Sequence, residues 1–337
     1  MKVCIYGAGA IGGYLATQLA QAPEVEVSLV ARGAHLAALR ENGLTLQAGG
    51  QTRTVRLAAT DEPAALGPQD YVIVALKAHQ AWEAAERMAP LLGRDTAVVT
   101  CQNGVPWWYF HGIAGSCAGR RLASVDPEDR QWNAIGPARA IGCVVYPATE
   151  IVAPGVVQHI YGDKFALGEP DGSLSPRCRA LGAALEAGGL KAPVLENIRD
   201  EIWLKLWGNL CFNPLSALTR ATLDVVATDP GSRALAKAMM TEAEAIARAH
   251  GADFRVDIER RINGAARVGA HRTSMLQDLE RGRPLEIDAL LTAVQEMGRM
   301  IGAATPYIDS VLALVQQLGR SQGLYPVFPE QPAAAAA

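Results

Sequence analysis

An apolar run, Val3-Cys4-Ile5-Tyr6, leads directly into Gly7-Ala8-Gly9-Ala10-Ile11-Gly12-Gly13. A strand ending in a G-x-G-x-x-G turn and continuing as a helix is the opening of a doubly wound, dinucleotide-binding unit. Each glycine answers a separate need. Gly7 makes the tight turn off the strand, Gly9 lets backbone amides approach a pyrophosphate, and Gly12 lets the helix pack close to the strand. The unpaired N–H groups at the helix start then face the phosphates, with the helix dipole favouring their charge. A helical stretch from Tyr14 to Gln21, closed by Pro23, supplies the context that the motif needs.

The second strand discriminates between cofactors. Val25-Glu26-Val27-Ser28-Leu29-Val30 turns apolar toward its end, as a buried parallel strand does. An Asp or Glu at that end would hold a ribose 2′-hydroxyl. The chain has Ala31-Arg32-Gly33 instead. No carboxylate there repels a 2′-phosphate, and the Arg32 guanidinium can grip one through paired, charge-assisted hydrogen bonds. The expected cofactor is therefore NADP(H).

Further along, Tyr71-Val72-Ile73-Val74-Ala75-Leu76 reads as a strand ending at Lys77, with a helix around Ala81–Leu92 after it. Thr96-Ala97-Val98-Val99-Thr100-Cys101 reads as another strand, ending in Gln102-Asn103-Gly104. Short extended pieces fall at Leu44–Leu46 and Thr54–Leu57. Ile141–Tyr146 and a hairpin of Gly155–Ile160 with Lys164–Leu167 complete the expected sheet. Strands separated by helices imply parallel βαβ units, whose ligands bind at the carboxyl ends of the strands. Those ends carry the glycine turn, Lys77 and Gln102-Asn103.

The second half changes character. Helical patterns run over Asn197–Leu218, Asp229–His250, Asp257–Gly269, Thr273–Arg281, Leu285–Ile301 and Thr305–Leu318. Asp229-Pro230 and Thr305-Pro306 each read as an N-cap followed by proline at the first helical position. The fold class expected is thus α/β: an N-terminal Rossmann-type doubly wound domain, residues 1–194, followed by an all-helical C-terminal domain, residues 195–328. Residues 329–337 form a low-complexity tail expected to be disordered. Two domains suit 337 residues, because single cores stop growing near ~250–300 residues.

The bulk properties narrow the function classes. Net charge is −3, with no basic stripe of the kind nucleic acid requires. No apolar run approaches the ~20 residues of a membrane span, and the N-terminus enters a strand with no signal-peptide pattern. The six cysteines are scattered without a C-x-x-C pair, which fits a reducing cytoplasm. The six histidines lack metal-ligand spacing, so no metal is expected. Long apolar faces such as Ile301 and Val311–Leu318 suit either a homodimer interface or burial within the domain.

One helix is the second informative segment: Trp203-Leu204-Lys205-Leu206-Trp207-Gly208-Asn209-Leu210-Cys211-Phe212-Asn213-Pro214-Leu215. Lys205, Asn209 and Asn213 recur every four residues and so stack along one face. Their neighbours are apolar or glycine. Buried polar groups need partners, and a ligand is one candidate. The alternative is a lysine that snorkels to water while the asparagines bond nearby backbone. Pro214 marks a kink or the end of the regular helix. A further segment, Thr273-Ser274-Met275-Leu276-Gln277-Asp278, with Pro284-Leu285-Glu286-Ile287-Asp288 after it, reads by itself as a capped helix followed by another.

Taken together, these motifs resemble the ketopantoate reductase family, over nearly the whole chain. The resemblance rests on Gly7–Gly13, Lys77, Gln102-Asn103-Gly104, the W-x-K-L-x-x-N-x-x-x-N-P-L run from Trp203, and Ser274–Asp278 with Glu286–Asp288. It implies NADPH-dependent reduction of a 2-oxo acid, foremost 2-dehydropantoate to pantoate. Lys205 then matches the family's catalytic lysine, and Glu286 its second catalytic acid. Asn209, Asn213 and Ser274 match substrate-binding groups, and Asn103 a residue near both substrate and nicotinamide. Gly7, Gly9, Ala10, Ile11, Gly12, Arg32, Lys77 and Asn103 match the cofactor contacts. A lysine titrating near ~10.4 is an ammonium at pH 7, fit to polarise a ketone and protonate its alkoxide.

The chain also departs from the pattern. Leu223 stands where members acting on ketopantoate tend to carry a further asparagine, which removes a hydrogen bond to a substrate hydroxyl. Val105-Pro106-Trp107-Trp108-Tyr109-Phe110-His111 follows Asn103. It either lines a larger or more apolar substrate pocket or packs the domain interface. A same-mechanism reductase of a bulkier 2-oxo acid and a non-catalytic NADP-binding regulator therefore remain as alternatives.

Overall fold

The computed structural model describes residues 1–326. The expected tail, 329–337, lies outside the described residues. Two compact units divide the chain, Met1–Ile202 and the remainder from Trp203.

In the first unit, eleven strands form two sheets: β1 (Lys2–Tyr6), β2 (Glu26–Val30), β3 (Leu44–Ala48), β4 (Gln51–Val55), β5 (Ala58–Thr60), β6 (Gln69–Val74), β7 (Leu92–Thr100), β8 (Ala140–Val145), β9 (Ala148–Ala153), β10 (Val156–Tyr161) and β11 (Phe165–Gly168). The large sheet has the order β11-β8-β7-β6-β1-β2-β5. All its pairings are parallel except β8 with β11. The helices of this unit are α1 (Ala10–Leu19), α2 (Gly33–Asn42), α3 (Ala78–Ala84), α4 (Arg130–Ile135) and α5 (Pro176–Ala187). Ile5, Leu15, Leu19, Leu29, Ile73 and Phe165 belong to one buried core. This is the doubly wound arrangement that the strand–helix alternation dictates.

The small sheet, order β4-β3-β10-β9, departs from the sequence reading. Residues 155–160 do not pair with 164–167. β10 runs antiparallel to β9 and parallel to β3, while β11 joins β8 in the large sheet. The local turn decides this. Pro154-Gly155, with Gly155 at φ +76°, closes a tight hairpin between β9 and β10. The inward face of β10 then buries Val157 against α1, where a Cβ on Gly13 would lie 2.7 Å from the Val157 methyl. The expected helix over 81–92 is also shorter. α3 stops at Ala84 and a 3₁₀ segment, Glu86–Leu91, takes over ahead of Pro90, which cannot donate in a helical ladder.

The aromatic run after Asn103 is core. Trp107, Trp108, Tyr109 and Phe110 are all buried. Trp108 Nε1 donates to Thr100 Oγ1 at 2.9 Å, and Trp107 meets Trp132 edge-on. The carbonyls of Tyr109, His111 and Pro170 accept from a single buried guanidinium, that of Arg199. No larger pocket need be invoked for these rings.

Among the described residues, seven α-helices follow: α6 (Ile198–Thr219), α7 (Leu223–Thr228), α8 (Pro230–Ala249), α9 (Ile258–Ala266), α10 (Ser274–Glu280), α11 (Ala293–Met300) and α12 (Pro306–Ser321). α6 begins in the first unit and continues through Pro214 to Thr219, so the proline does not end it. Leu215, Ser216 and Ala217 beyond it are buried, and that packing outweighs the missing backbone donor. In the second unit α8 buries Ala236, Met239, Met240, Ala243, Ile246 and Ala247, a stripe at helical spacing. Trp207 stacks on Phe254 with ring centroids 4.0 Å apart and donates to Met240 O. Val311, Leu312 and Val315 of α12 are buried, which leaves Tyr307 and Leu314 as its exposed large apolar residues.

The two expected caps behave differently. Asp229 caps α8 with its own carboxylate, which accepts from Ser232 N at 2.9 Å. Thr305 occupies the N-cap position of α12 but makes no cap bond. Glu242 on α8 accepts from Tyr307 N and Ile308 N instead.

Candidate active site

The first part of the site is a cleft of about 490 Å³ at the carboxyl edge of the large sheet. Its floor is the glycine turn between β1 and α1. Gly7 has φ +103°, and a Cβ there would fall 3.0 Å from Ala75 O. A Cβ on Gly12 would fall 2.0 Å from Gly7 O, so only glycine lets α1 close on the turn. A Cβ on Gly9 would meet nothing within 4 Å: its face is open toward the cleft. Gly9 is the N-cap of α1 and makes no side-chain cap. The N–H groups of the first turn, Ala10 and Ile11 included, therefore start with no intrahelical acceptor.

Arg32 is exposed on the cleft wall at the end of β2, with His35, Asp61, Gln80, Glu83 and Arg87 around it. Arg87 and Asp61 were invisible to motif reading because neither lies on a fingerprint. Arg87 Nη2 donates to the Asp61 carbonyl at 2.8 Å, and the Asp61 carboxylate pairs with Arg40 at 3.3 Å. Burial raises the Tyr6 hydroxyl pKa, and the charges of Arg87 and Arg32 pull it back down, so both cations face the same strand end. Lys77 is the N-cap residue of α3, next to the cleft-lining Leu76. It is half-buried. Burial, with help from the Lys77 charge, pushes the His79 pKa down to about 4 and keeps that imidazole neutral. Asn103 follows the end of β7 and is also half-buried. Lys77 and Asn103 belong to neighbouring strand ends rather than to the cleft wall.

The second group of residues belongs to the helical unit. Lys205, Asn209 and Asn213 lie on α6 as their spacing requires. Lys205 and Asn209 are half-buried and Asn213 is buried. Asn213 Nδ2 donates to Ser274 Oγ at 3.2 Å, bringing together two residues 61 apart in sequence. Ser274 is exposed at the first position of α10, which Thr273 caps through Leu276 N. Gly208 carries a role that the motif hides: a Cβ there would sit 2.1 Å from Arg261 Nη2. The Arg261 guanidinium therefore lies directly on α6, and its Nε donates to Leu204 O at 3.4 Å. Glu286 is half-buried just before a single π-helical turn, Asp288–Thr292. Asp288 is committed elsewhere: its carboxylate accepts from Tyr325 and Thr292 hydroxyls, each at 2.7 Å. Leu223 opens α7, and its N–H is taken by His271 O. Among the described residues no helix is long and apolar enough to cross a membrane.

A parallel sheet with an open glycine turn and a cleft at its carboxyl edge that bears Arg32 and Arg87 defines a Rossmann-type dinucleotide-binding fold. Comparison with known proteins narrows the class. Residues 3–107 match the family profile for ketopantoate reductase PanE/ApbA, and residues 197–319 match that family's C-terminal profile. A "2-dehydropantoate 2-reductase" of Mesorhizobium japonicum is 55% identical over 325 residues, 96% of this chain and 100% of that protein. A solved chain from Ralstonia solanacearum MolK2 has a TM-score of 0.92 at 44% identity, covering 96% of this chain and 99% of that one. The 2-dehydropantoate 2-reductase of Geobacter metallireducens GS-15 has a TM-score of 0.81 at 28% identity, covering 94% and 100%. The chain belongs to the ketopantoate reductase family.

Proposed function

We propose that this protein reduces 2-dehydropantoate to pantoate with NADPH. The observation that carries the reading is the 55% identity with a 2-dehydropantoate 2-reductase along that protein's entire length. The cleft residues fit the cofactor: an open Gly9, free first-turn amides of α1, and Arg32 with Arg87 where a 2′-phosphate needs cations. Lys77 is assigned to the same phosphate and Asn103 to the nicotinamide end. When bound, NADPH supplies a hydride to C2 of the 2-oxo acid. Lys205, as an ammonium, hydrogen-bonds the keto oxygen, polarises the carbonyl and delivers a proton to the alkoxide. Asn209, Asn213 and Ser274 hold the carboxylate and hydroxyl groups with neutral partners. The Asn213–Ser274 bond sets their orientation before substrate arrives. Glu286 acts as the second acid and favours the charged lysine. The same reading has the chain working in the cytoplasm, where its six cysteines stay reduced.

A second reading, the same chemistry on a bulkier 2-oxo acid, is favoured by Leu223. NADPH oxidation followed by nicotinamide absorbance, with 2-dehydropantoate beside a panel of bulkier 2-oxo acids, separates the two. Fast turnover of 2-dehydropantoate is the expected result. Turnover of a bulkier acid alone would move the substrate and keep the mechanism. NADPH binding with no turnover of any substrate would leave a regulator.

The two inner glycines give a separate check on the cofactor. Gly12→Ala forces a methyl group to within 2.0 Å of Gly7 O, so it should cost ~1–3 kcal/mol of stability together with NADPH binding. Gly9→Ala meets nothing within 4 Å, so its melting temperature should hold while NADPH binding alone weakens. Thermal melts with and without NADPH read both effects. Unchanged NADPH binding in Gly9→Ala would remove the pyrophosphate from this turn.

A further inference from the structure

The residue before Glu286 and the second residue after it are both fastened to one short segment at the far end of the described chain. Leu285 N donates to Leu324 O at 2.9 Å. The Tyr325 hydroxyl donates to Asp288 Oδ1 at 2.7 Å and accepts from Gln316 Nε2 at 3.1 Å. The ring of Tyr325 lies on Gly319 so closely that a Cβ there would be 2.6 Å from the tyrosine Cβ, with Ile287 Cδ1 3.6 Å away on the same spot. Leu324 is itself held by Gly319 O, which accepts from its N–H at 2.8 Å. Leu285, Ile287 and Tyr325 are all buried. Asp288 begins the π-helical turn, a rare geometry that occurs mostly as single turns within helices.

We infer that Leu324 and Tyr325 form a clasp that positions Glu286 for the reaction, with Tyr325 as a positioning residue acting through Asp288. The inference rests on the reading of Glu286 as the second acid. The physical argument is one of degrees of freedom. A half-buried glutamate on an unclasped link between α10 and α11 would sample several backbone states. Pinning both flanks to a segment folded back from α12 leaves one. Small displacements of a group in the reaction geometry lower rate strongly, whereas loss of a remote hydroxyl lowers stability without touching turnover per folded molecule.

The test is a double-mutant cycle on the full chain with Tyr325→Phe, Glu286→Gln and the pair, measuring kcat, KM for the 2-oxo acid, NADPH affinity and the melting temperature. Tyr325→Phe keeps the ring on Gly319 and removes only the hydroxyl. The expected result is about a tenfold loss of kcat/KM in Tyr325→Phe with unchanged NADPH affinity. That loss should vanish when Glu286 is already glutamine, because residues acting through one another are not additive. Gly319→Ala, which pushes the ring away from the same side, should reproduce the loss. Equal losses from Tyr325→Phe in both Glu286 backgrounds, or full activity of Tyr325→Phe beside an impaired Glu286→Gln, would overturn the clasp alone. A fully active Glu286→Gln would instead remove the role of Glu286, and the clasp with it.

Discussion

Lys205→Ala is expected to lower kcat by ~10²–10⁴ while leaving NADPH affinity where it was, since positioned proton transfer contributes on that scale. Adding a hydride to C2 of a ketone leaves an alkoxide, which needs a proton from somewhere. The α6 face offers only two asparagines beside the lysine, and an amide cannot supply one. The residues proposed for the cofactor belong to the first unit and Lys205 to the second, so the substitution leaves all of them in place. Lys205→Arg sharpens the experiment. It keeps the positive charge but cannot release a proton near neutral pH, so it should be almost as slow as alanine. Single-turnover NADPH oxidation in a stopped-flow instrument isolates the chemical step from product release. A Lys205→Ala rate within tenfold of the parent would end the general-acid assignment. An active Lys205→Arg beside an inactive Lys205→Ala would show that charge alone matters.

Arg32→Ala is expected to raise KM for NADPH by ~10–100-fold and leave KM for NADH nearly unchanged. A hydrogen bond to a charged group contributes ~1.5–3 kcal/mol, and each 1.4 kcal/mol is a factor of ten. Arg32 is exposed, so the difference should shrink as ionic strength rises. Arg87→Ala should have the same sign and a smaller size, because one of its donors already serves the Asp61 carbonyl. The ratio of kcat/KM for NADPH and NADH at two salt concentrations reads all of this. A parent that used NADH as well as NADPH, or an Arg32→Ala variant that lost both equally, would detach the 2′-phosphate from Arg32.

The parts of the molecule that were legible in the sequence are those governed by short-range rules. The glycine turn announces itself because backbone conformation at Gly7 and close approach at Gly12 restrict the residue type at fixed spacing. The parallel strands announce themselves as apolar runs, and the lysine–asparagine face of α6 as a four-residue repeat. What stayed hidden depends on partners distant in sequence. Nothing near Val156 says that its strand pairs with β3 more than a hundred residues earlier, and a half-polar β9 does not stand out as a strand. Arg87 enters the cleft from a 3₁₀ segment that no pattern marks. Asp288 looks like a companion of Glu286 until Tyr325, 37 residues on, is seen to hold it. Thr305 has the right residue type for a cap, yet Glu242 does the capping, 66 residues before Ile308.

The small sheet changes what counts as the nucleotide-binding part of this chain. His35 in α2 accepts from Gly155 N at 3.1 Å through Nδ1, and Ile151 of β9 stands on the cleft wall. The helix behind the glycine turn rests on Val157. The fingerprint precedes both segments in the chain, and the pocket it serves acquires its wall and its backing only once residue 157 has been added. Residues 3–107, which carry the N-terminal family profile, would leave β7 without β8 and β3 without β10. Those bare edges invite self-association. The stretch that the N-terminal profile matches and the stretch that completes the pocket are therefore not the same length, and a nascent chain has no finished cofactor pocket until Val157 has joined it.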